Sequence, residues 1–249
     1  MGKGLKNTFI MVLMIIISLS FLLVCTTSCI RVGFVGSGNV VTEDREVSGF
    51  DEISVSTGIN LFVEQTGEES LLLEAEDNIL PKVESQVKNN TLVIRIKPMS
   101  FGGINTREPI NCYVTVKEIK EIDVSSGSNV STDILKSEEL AIDMSSGSNG
   151  YFEVELEDLD VDLSSGSKLE ISGNTEYQHA DISSGSEYDA TDLLSKKAII
   201  DVSSGSNAKI NVSDDLEVDI SSGSSVKYIG SPEVKTDISS GGSLESMSE

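Results

Sequence analysis

Histidine, tryptophan and cysteine are the residue types that this sequence has least of, and their scarcity excludes several kinds of site. His179 is the only histidine, tryptophan is absent, and the three cysteines are Cys25, Cys29 and Cys112. No two cysteines have the C-x-x-C spacing of a structural zinc site. A Ser-His-Asp triad would need His179, but a single histidine on a repeated strand is usually a packing or surface residue. Cys112, in a strand-like apolar segment, is predicted to be a small buried residue.

Basic residues are scarce as well, with 18 Lys and Arg against 41 Asp and Glu and a formal net charge of −23. A surface this negative repels the phosphates of nucleic acids and of anionic lipids, so no nucleic-acid partner is predicted. The charge favours cations and cationic partners. It also keeps a protein soluble, and solubility is the interpretation that we prefer.

Long apolar runs are absent except at the start of the chain. A nearly uninterrupted apolar run spans residues 9–24 and follows Lys3 and Lys6, which is typical of a signal sequence that directs a chain out of the cytoplasm. The following Thr26-Thr27-Ser28-Cys29 is similar to a bacterial lipobox, although Thr26 stands where Leu or Val is usual. We predict a lipoprotein signal peptide over residues 1–28 and lipidation at Cys29, which would attach the protein to the outer membrane or cell surface. An uncleaved membrane anchor and plain secretion remain the alternatives.

The most prominent feature that is present is a repeated turn motif. Ser-Ser-Gly-Ser occurs six times and Ser-Ser-Gly-Gly once, at intervals of 18 to 20 residues. The glycines are Gly127, Gly147, Gly166, Gly185, Gly205, Gly223 and Gly241. A short and regular period of this kind indicates a solenoid, in which each repeat buries its apolar side chains against its neighbours.

Each turn is preceded by an aspartate that lies between two positions that are mostly apolar. The aspartates are Asp123, Asp143, Asp162, Asp181, Asp201, Asp219 and Asp237. This alternation, which resumes after the turn, is typical of a half-buried strand, and glycine allows the positive φ of a tight turn. We therefore predict an all-β fold, a single right-handed parallel β-helix with coils of about 19 residues. Whether a coil has two faces or three is left open.

A divergent earlier copy of the repeat lies at the start of the predicted β-helix. Phe50-Asp51-Glu52-Ile53 leads into Ser56-Thr57-Gly58-Ile59-Asn60, and Ser54 replaces the aspartate. Together with the downstream Ser-Ser-Gly-Ser turns, these residues resemble the head GIN domain family of autotransporter adhesins, whose label comes from the Gly-Ile-Asn triplet. The resemblance covers residues 47–243. It implies an extracytoplasmic protein with a β-helical fold, often a lipoprotein, and it brings no catalytic residues.

The spacing of turns divides the chain into segments. Residues 29–46 are predicted to be a tether, residues 47–120 to be irregular coils that also cap the N-terminal end, and residues 121–243 to be the regular coils. Residues 244–249 are predicted to be a short polar tail. Because nothing in the sequence covers the last coil, its strand edge is a candidate site of self-association.

The repeated aspartates are the strongest candidate site. Seven carboxylates in one column, roughly 5 Å apart, would present oxygen ligands from which calcium could bridge adjacent coils. The simpler interpretation, which we favour, is a solvated outer face that keeps the sheet soluble. No catalytic site and no confident metal site is predicted, and calcium is the only cofactor considered.

The predicted function is that of a non-enzymatic, lipid-anchored envelope protein that binds or displays, in the manner of an adhesin, with a surface or envelope partner that the sequence does not identify. One alternative is a polysaccharide-active enzyme, which a groove lined by carboxylates and aromatic residues would favour. A second alternative is a structural protein that assembles end to end through the last coil.

Overall fold

The structure is a computed structural model, and it describes residues 33–98 and 103–247. The strands of the described part are β1 (Phe34–Val35), β2 (Val40–Arg45), β3 (Glu52–Val55), β4 (Asn60–Gln65), β5 (Ser70–Glu76), β6 (Val83–Lys88), β7 (Thr91–Ile96), β8 (Ile104–Asn105), β9 (Asn111–Val116), β10 (Glu121–Val124), β11 (Asn129–Met144), β12 (Asn149–Leu163), β13 (Lys168–Ile182), β14 (Glu187–Val202), β15 (Asn207–Ile220), β16 (Ser225–Ile229), β17 (Glu233–Ile238) and β18 (Ser243–Ser246). One short 3-10 helix spans Leu80–Lys82. The predicted all-β class is confirmed, and the fold is a β-solenoid of about 7 turns.

The described residues form two units. In the smaller unit, β1 and β8 pair in parallel. The larger unit contains all the other strands and is the solenoid.

The regular part of the solenoid is built from five long strands, β11 to β15, each of which makes most of one coil. Neighbouring coils pair in parallel, with paired residues 17 to 20 positions apart in the sequence, as Asp143 and Asp162 are. Breaks in this register occur within the strands, for example between Ala190 and Leu194. The chain bends at these places, where the hydrogen-bond ladder is interrupted locally and then resumes.

The burial pattern shows that a coil has three faces. The buried residues of β14 are, in order, Tyr188 and Ala190, then Leu193 and Ser195, then Ala198, Ile200 and Val202. Two consecutive residues that are not buried separate each group from the next, which is where the period-2 alternation is interrupted and the chain turns a corner. The Ser-Ser-Gly-Ser turn makes the third corner. Each fully buried aliphatic side chain contributes about 1.5–3 kcal/mol relative to an exposed one.

The Ser-Ser-Gly-Ser corners lie in one column, as predicted. In the first of them, Ser126 and Gly127 have φ of 55° and 72°, and the Ser128 N–H donates to the Ser125 carbonyl. Two central residues with positive φ are typical of a type I′ turn. The Gly127 N–H donates to the Ser146 carbonyl of the next coil, and the same bond recurs up the column. The positive φ of the serine before each glycine was not predicted.

The last serine of each turn is buried, which gives the solenoid a column of internal hydroxyl groups. These residues are Ser128, Ser148, Ser167, Ser186, Ser206 and Ser224. The Oγ atom of Ser206 accepts the N–H groups of Gly185 and Ser186 at 3.1 and 3.2 Å. A buried hydroxyl that satisfies backbone donors of the neighbouring coil stabilises both the turn and the stacking.

The N-terminal end is closed by strands whose order in space differs from their order in the chain. β3 and β4 form the first copy of the repeat, and they pair with β10 and β11 on one side. On their other side lie β7 and β9, which come later in the sequence. β6 pairs antiparallel with β7. β5 pairs antiparallel with β9 on one edge and with β2 on the other, so that this end carries a cap, as predicted.

The cap includes chain that the sequence assigned to a tether. β2 lies at residues 40–45, inside the predicted tether of residues 29–46, and it pairs with β5 along six residues. Its residues are mostly exposed and show no apolar alternation, so the sequence carries no strand signal. The pairing is determined by the edge of β5, which the sequence does not reveal.

The C-terminal end is formed by β17 and β18, which pair with β15 and β16. In the described part of the chain, no strand pairs with their outer edges. Ile238 of β17 is 43% exposed although it occupies a repeat position that is buried in the earlier coils. β18 also reaches into residues 244–249, the range predicted to be a polar tail.

Several buried polar groups of β13, β14 and β15 form a chain of hydrogen bonds. The Tyr188 hydroxyl donates to Gln178 Oε1 at 3.0 Å, and Gln178 Nε2 donates to Ser195 Oγ at 2.6 Å. The Ser195 hydroxyl donates in turn to the carbonyl of Asn211 at 3.0 Å. Cys112 is buried as predicted, and burial raises the pKa of its thiol to about 12, which makes it unreactive.

Candidate functional site

The seven predicted aspartates lie opposite one another in consecutive coils. The register joins Asp123 to Asp143, Asp143 to Asp162, Asp162 to Asp181, Asp181 to Asp201, Asp201 to Asp219, and Asp219 to Asp237. Ser54 occupies the same position in the first copy of the repeat, and its hydroxyl donates to Asp123 Oδ2 at 3.0 Å. We name this set of seven residues the aspartate column.

The aspartate column is electrostatically strained because like charges face one another. Burial, and then the neighbouring carboxylates Asp162 and Asp123, raise the pKa of Asp143. Burial, and then Asp181 and Asp219, raise the pKa of Asp201. Ionisation of Asp143 and of Asp201 is therefore disfavoured, and a cation bound beside either carboxylate would offset this.

A narrow cleft runs between the upper part of the aspartate column and the serines that open the turns. It has a volume of about 340 Å³, and its polar lining consists of Asp181, Asp201, Asp219, Asp237, Ser183, Ser203, Ser221 and Ser239. Carboxylates and hydroxyl groups are oxygen ligands that suit calcium. The cleft is therefore the place where the predicted calcium interaction would occur. The alternative of a solvated face is consistent with the same geometry.

A larger groove lies on the same face, beside the aspartate column, and we name it the acidic groove. It has a volume of about 930 Å³ and follows the coils from β10 to β17. Its carboxylates are Glu121, Glu139, Asp158, Asp160, Asp215, Glu217 and Glu233, and its basic residues are Lys120, Lys197, Lys235 and His179. Tyr177 and Ile199 add apolar surface and are 51% and 49% exposed.

The lysines of the acidic groove are paired with carboxylates, which leaves the groove negative. Lys197 Nζ lies 2.8 Å from Asp215 Oδ2, Lys235 is paired with Glu217, and Lys120 Nζ lies 3.1 Å from Asp51 Oδ2. The ion pairs found between described residues do not involve Glu121, Glu139, Asp158 or Glu233. Burial, followed by Glu52 and Asp143, raises the pKa of Glu121, as expected where negative charge is concentrated.

The sequence did not reveal the acidic groove. Two of its walls are columns of outward residues that stack from coil to coil. One column consists of Glu121, Ala141, Asp160, His179, Ile199, Glu217 and Lys235. The other consists of Glu139, Asp158, Tyr177, Lys197, Asp215 and Glu233. The residue type changes at each step, so these columns produce no repeat that the sequence could show. The only sign of these columns in the sequence is their position in the repeat, two and four residues before each aspartate.

A third arrangement explains the asparagine of the Gly-Ile-Asn triplet. Asn60 stands directly after the first turn, and its Nδ2 donates to Asn111 Oδ1 at 2.9 Å. Asn129 Nδ2 donates to Asn60 Oδ1 at 2.9 Å, and Asn149 Nδ2 donates to Asn129 Oδ1 at 3.0 Å. Asn111 donates further to Glu74 Oε1 at 2.8 Å. This asparagine ladder, which the sequence analysis missed, joins the cap to the regular coils.

Exposed aromatic residues also occur on the strands that carry the asparagine ladder. The rings of Phe62 and Tyr113 are stacked with centroids 5.0 Å apart, and both are partly exposed. Tyr151 lies in the same outward column and is also exposed. Stacking of this kind stabilises adjacent strands by about 0.5–1.5 kcal/mol.

Some predicted features lie outside the described residues. These are the signal peptide at residues 1–28 and the lipidated Cys29. Among the residues that the structure describes, no helix is long and apolar enough to cross a bilayer.

Several solved structures have the same fold. A putative adhesin from Bacteroides fragilis has a TM-score of 0.78 with 20% identity, and the match covers 86% of this chain and 100% of that one. A putative lipid binding protein from Parabacteroides distasonis has a TM-score of 0.71, 20% identity and 86% and 99% coverage. A putative adhesin from Parabacteroides merdae has a TM-score of 0.68, 18% identity and the same coverage. At these identities the likeness shows the fold.

A comparison with curated proteins finds no match. A family model described as "Putative auto-transporter adhesin, head GIN domain" matches residues 49–232, which include the Gly-Ile-Asn triplet, the asparagine ladder and all but the last of the Ser-Ser-Gly turns. This family points to an extracytoplasmic or surface protein, and neither it nor the similar structures are described as enzymes. The chain belongs to the head GIN domain family of adhesins.

Proposed function

We propose that this protein is a non-enzymatic, lipid-anchored envelope protein that binds a cationic, extended segment of a surface or envelope partner in its acidic groove. The observation that carries the proposal is the composition of that groove, in which carboxylates without a lysine partner line the same surface as the exposed side chains of Tyr177 and Ile199. Complementary charge steers a partner to the groove, and the apolar surface then stabilises the complex.

The groove also has a shape that suits an extended ligand. It passes over the outward residues of several stacked coils, so that binding groups recur at the spacing of the strands, roughly 4.8 Å. A peptide in extended conformation places side chains on one side every ~7 Å, which allows basic and apolar side chains to alternate along the groove. A compact anion would be repelled by the same carboxylates.

The binding proposal is tested with two peptides of equal length, one with the repeat Lys-Ser-Leu-Ser and one with the repeat Glu-Ser-Leu-Ser, because these repeats place a charged and an apolar side chain alternately on the same side of an extended chain. The first is expected to bind with an affinity that falls as salt rises, and the second is expected not to bind. The double variant Glu139→Gln, Asp158→Asn should weaken binding about fivefold, because each exposed ion pair contributes about 0.5 kcal/mol. Calorimetry or fluorescence anisotropy measures both.

A matched control separates the groove from the general negative charge. The double variant Glu153→Gln, Asp192→Asn removes two exposed carboxylates that lie on another part of the surface and do not line the acidic groove. It should leave the affinity within about twofold, because exposed charges beyond a Debye length are screened. An equal loss of affinity in both double variants would contradict a specific groove.

The lipid anchor is proposed at Cys29, on the basis of the sequence alone. A clickable fatty-acid analogue fed to cells that express the full chain should label it, and the label should be lost in Cys29→Ser. Cys25→Ser is the matched control and should retain the label, because Val24 before Cys25 is too bulky for a lipobox. Labelling that persists in Cys29→Ser would show that another residue carries the lipid.

A polysaccharide-active enzyme is the second candidate, and the acidic groove is the observation that favours it. Asp158 and Asp160 lie beside Tyr177, which gives the groove both carboxylates and an aromatic ring. Carboxylate pairs are the acid and base of glycoside hydrolysis. Release of reducing ends from neutral and acidic polysaccharides, abolished in Asp158→Asn or Asp160→Asn, would establish this activity in place of binding alone.

A further inference from the structure

The only histidine of the chain lies next to two members of the aspartate column. His179 and Asp181 are two residues apart on β13 and therefore point to the same side of the strand. Asp201 is the partner of Asp181 on β14. One ligand atom from each of the three side chains lies within 4.8 Å of those of the other two. Residues distant in sequence are brought together because the coils stack in register.

A fourth residue holds the histidine in one orientation. Asp160 on β12 stands opposite His179 in the register, and its Oδ1 atom lies 3.1 Å from His179 Nδ1. A carboxylate that accepts the Nδ1 proton fixes the imidazole tautomer, which leaves the lone pair on Nε2. The carboxylate–histidine pair is the arrangement that orients metal-binding histidines in proteins.

We propose that His179, Asp181 and Asp201 form a binding site for one divalent transition metal ion, and that Asp160 is its positioning residue. One imidazole and two carboxylates match Zn²⁺, which accepts three protein ligands and keeps an open position. Calcium, in contrast, prefers oxygen ligands alone and gains nothing from the histidine. The site does not depend on the proposed peptide binding.

The surroundings allow the ligands to close around an ion. Ligand atoms at about 2.1 Å from Zn²⁺ lie about 3.4 Å apart, so the side chains have to approach by roughly 1 Å. His179 is 44% exposed and Asp181 is exposed, which gives the ion access and leaves the Asp181 side chain free to rotate toward the oriented imidazole. The positive ion would also offset the repulsion between the neighbouring carboxylates of the column.

The proposed site lies where the two depressions meet, because His179 and Asp160 line the acidic groove and Asp181 and Asp201 line the narrow cleft. Other aspartates of the column lack this chemistry, since the register places no second histidine beside them. The proposal therefore specifies one ion for each chain, between the coils of β13 and β14.

The test is calorimetric titration of the full chain, purified in detergent without a polyhistidine tag, with ZnCl₂. One equivalent of Zn²⁺ is expected to bind. His179→Ala should lower the affinity at least about 100-fold, and Asp160→Asn should lower it about 10- to 100-fold, as loss of a histidine-orienting carboxylate does in other zinc sites. Far-UV circular dichroism checks that each variant remains folded.

The matched control is Asp143→Asn, which removes a carboxylate from the same column two coils away. It should keep the affinity within about twofold. Titration with Co²⁺ adds a spectroscopic readout, because visible d–d bands that depend on imidazole coordination should appear with the wild type and not with His179→Ala.

Three results would overturn the proposal. The first is that the wild-type chain binds no Zn²⁺, and the second is that His179→Ala binds it with unchanged affinity. The third is an equal loss in Asp143→Asn, which would show that the negative face attracts cations without a defined site. Loss of peptide binding in the groove variants has no bearing on these outcomes, because those variants leave all four residues in place.

Discussion

Single residues in the turns carry a backbone cost that recurs in every coil. Ser165 and Gly166 both have positive φ, 55° and 73°. Glycine adopts this conformation readily, while a residue with a side chain does so at a cost of roughly 1–2 kcal/mol. The serine is therefore the strained member of each turn, and it is retained although asparagine is better suited to this position.

This strain leads to a prediction with opposite signs at adjacent residues. Ser165→Asn should stabilise the protein by about 0.5 kcal/mol, because Asn-Gly is favoured in type I′ turns. Gly166→Ala should destabilise it by about 1 kcal/mol, even though a Cβ there would meet no atom within 4 Å. Urea unfolding measures both. Equal effects of the two variants would show that packing, and not φ, controls the turn.

The charges of the aspartate column lead to a prediction about pH. The pKa of Asp143 is raised in the folded protein, so the folded state binds more protons than the unfolded state as pH rises above the ordinary value of 3.8. Stability from this group is thus lost with rising pH. Asp143→Asn should stabilise the protein by about 0.5 kcal/mol at neutral pH, and the gain should vanish near ~pH 3, where the carboxyl is protonated in both states.

Asp189 provides the matched comparison, because its pKa is shifted the other way. Burial alone would raise the pKa of Asp189, but the Lys209 ammonium at 2.8 Å and the Thr191 hydroxyl hold it below the usual value. The stability that Asp189 contributes is fully present above the pKa of the unfolded state, and it is lost as pH falls through the lower pKa of the folded state. Asp189→Asn should therefore destabilise at neutral pH. The same sign for both variants in the pH series would contradict the electrostatic account.

At the scale of elements, the asparagine ladder joins the cap strands to the regular coils. Asn60 both donates to Asn111 and accepts from Asn129. Asn60→Ala would leave Asn111 Oδ1 without a donor and Asn129 Nδ2 without an acceptor, and should cost about 1–2 kcal/mol. Asn207→Ala changes the same position of a later coil and should cost under ~0.5 kcal/mol. Asn207 is exposed, and water can replace the one hydrogen bond that it accepts from the Ser225 hydroxyl. Chemical denaturation that gave equal costs would remove any special role of the triplet.

The aspartate column as an element is predicted to be a solvated surface and not a calcium site. The thermal unfolding midpoint of the His179→Ala variant should therefore be the same in excess calcium and in excess chelator, apart from the small effect of ionic strength. This variant is used so that the proposed transition-metal site does not contribute. A midpoint that is several degrees higher in calcium than in chelator would show that calcium binds the folded state preferentially. It would favour the alternative in which calcium bridges the carboxylates of adjacent coils.

At the scale of the whole solenoid, the two ends differ. Antiparallel strands cover the N-terminal end, whereas the outer edges of β17 and β18 have no partner strand among the described residues. An exposed edge with apolar residues is a template for pairing with another chain. We expect concentration-dependent self-association through this edge, in keeping with the predicted contact between last coils.

Sedimentation velocity over a wide concentration range measures this association. Ile238→Lys places a charge on the edge strand and should abolish it. Ile199→Lys, which introduces the same charge at an equally exposed residue of the acidic groove, should leave it unchanged. A wild-type chain that remains monomeric at the highest concentration would remove both edge pairing and the structural-polymer alternative.

Much of the solenoid follows from local sequence. The period of the Ser-Ser-Gly turns determines the length of a coil, and the alternation around each aspartate determines which side chains point inward, as Ile142 and Met144 do on either side of Asp143. Both signals depend only on strand geometry and on the conformational freedom of glycine. The aspartate column follows from them, because residues at the same phase stack.

The tertiary structure alone decided the three faces of a coil, the position of β7 and β9 beneath the first repeat, and the sites on the surface. The corners lie where consecutive residues that are not buried interrupt the alternation, and these residues have no fixed type. The acidic groove and the cluster of His179 with Asp181 and Asp201 arise from columns whose residues differ from coil to coil. Periodicity reveals only what is repeated, whereas a binding site depends on the single residues that interrupt the repeat and meet through stacking.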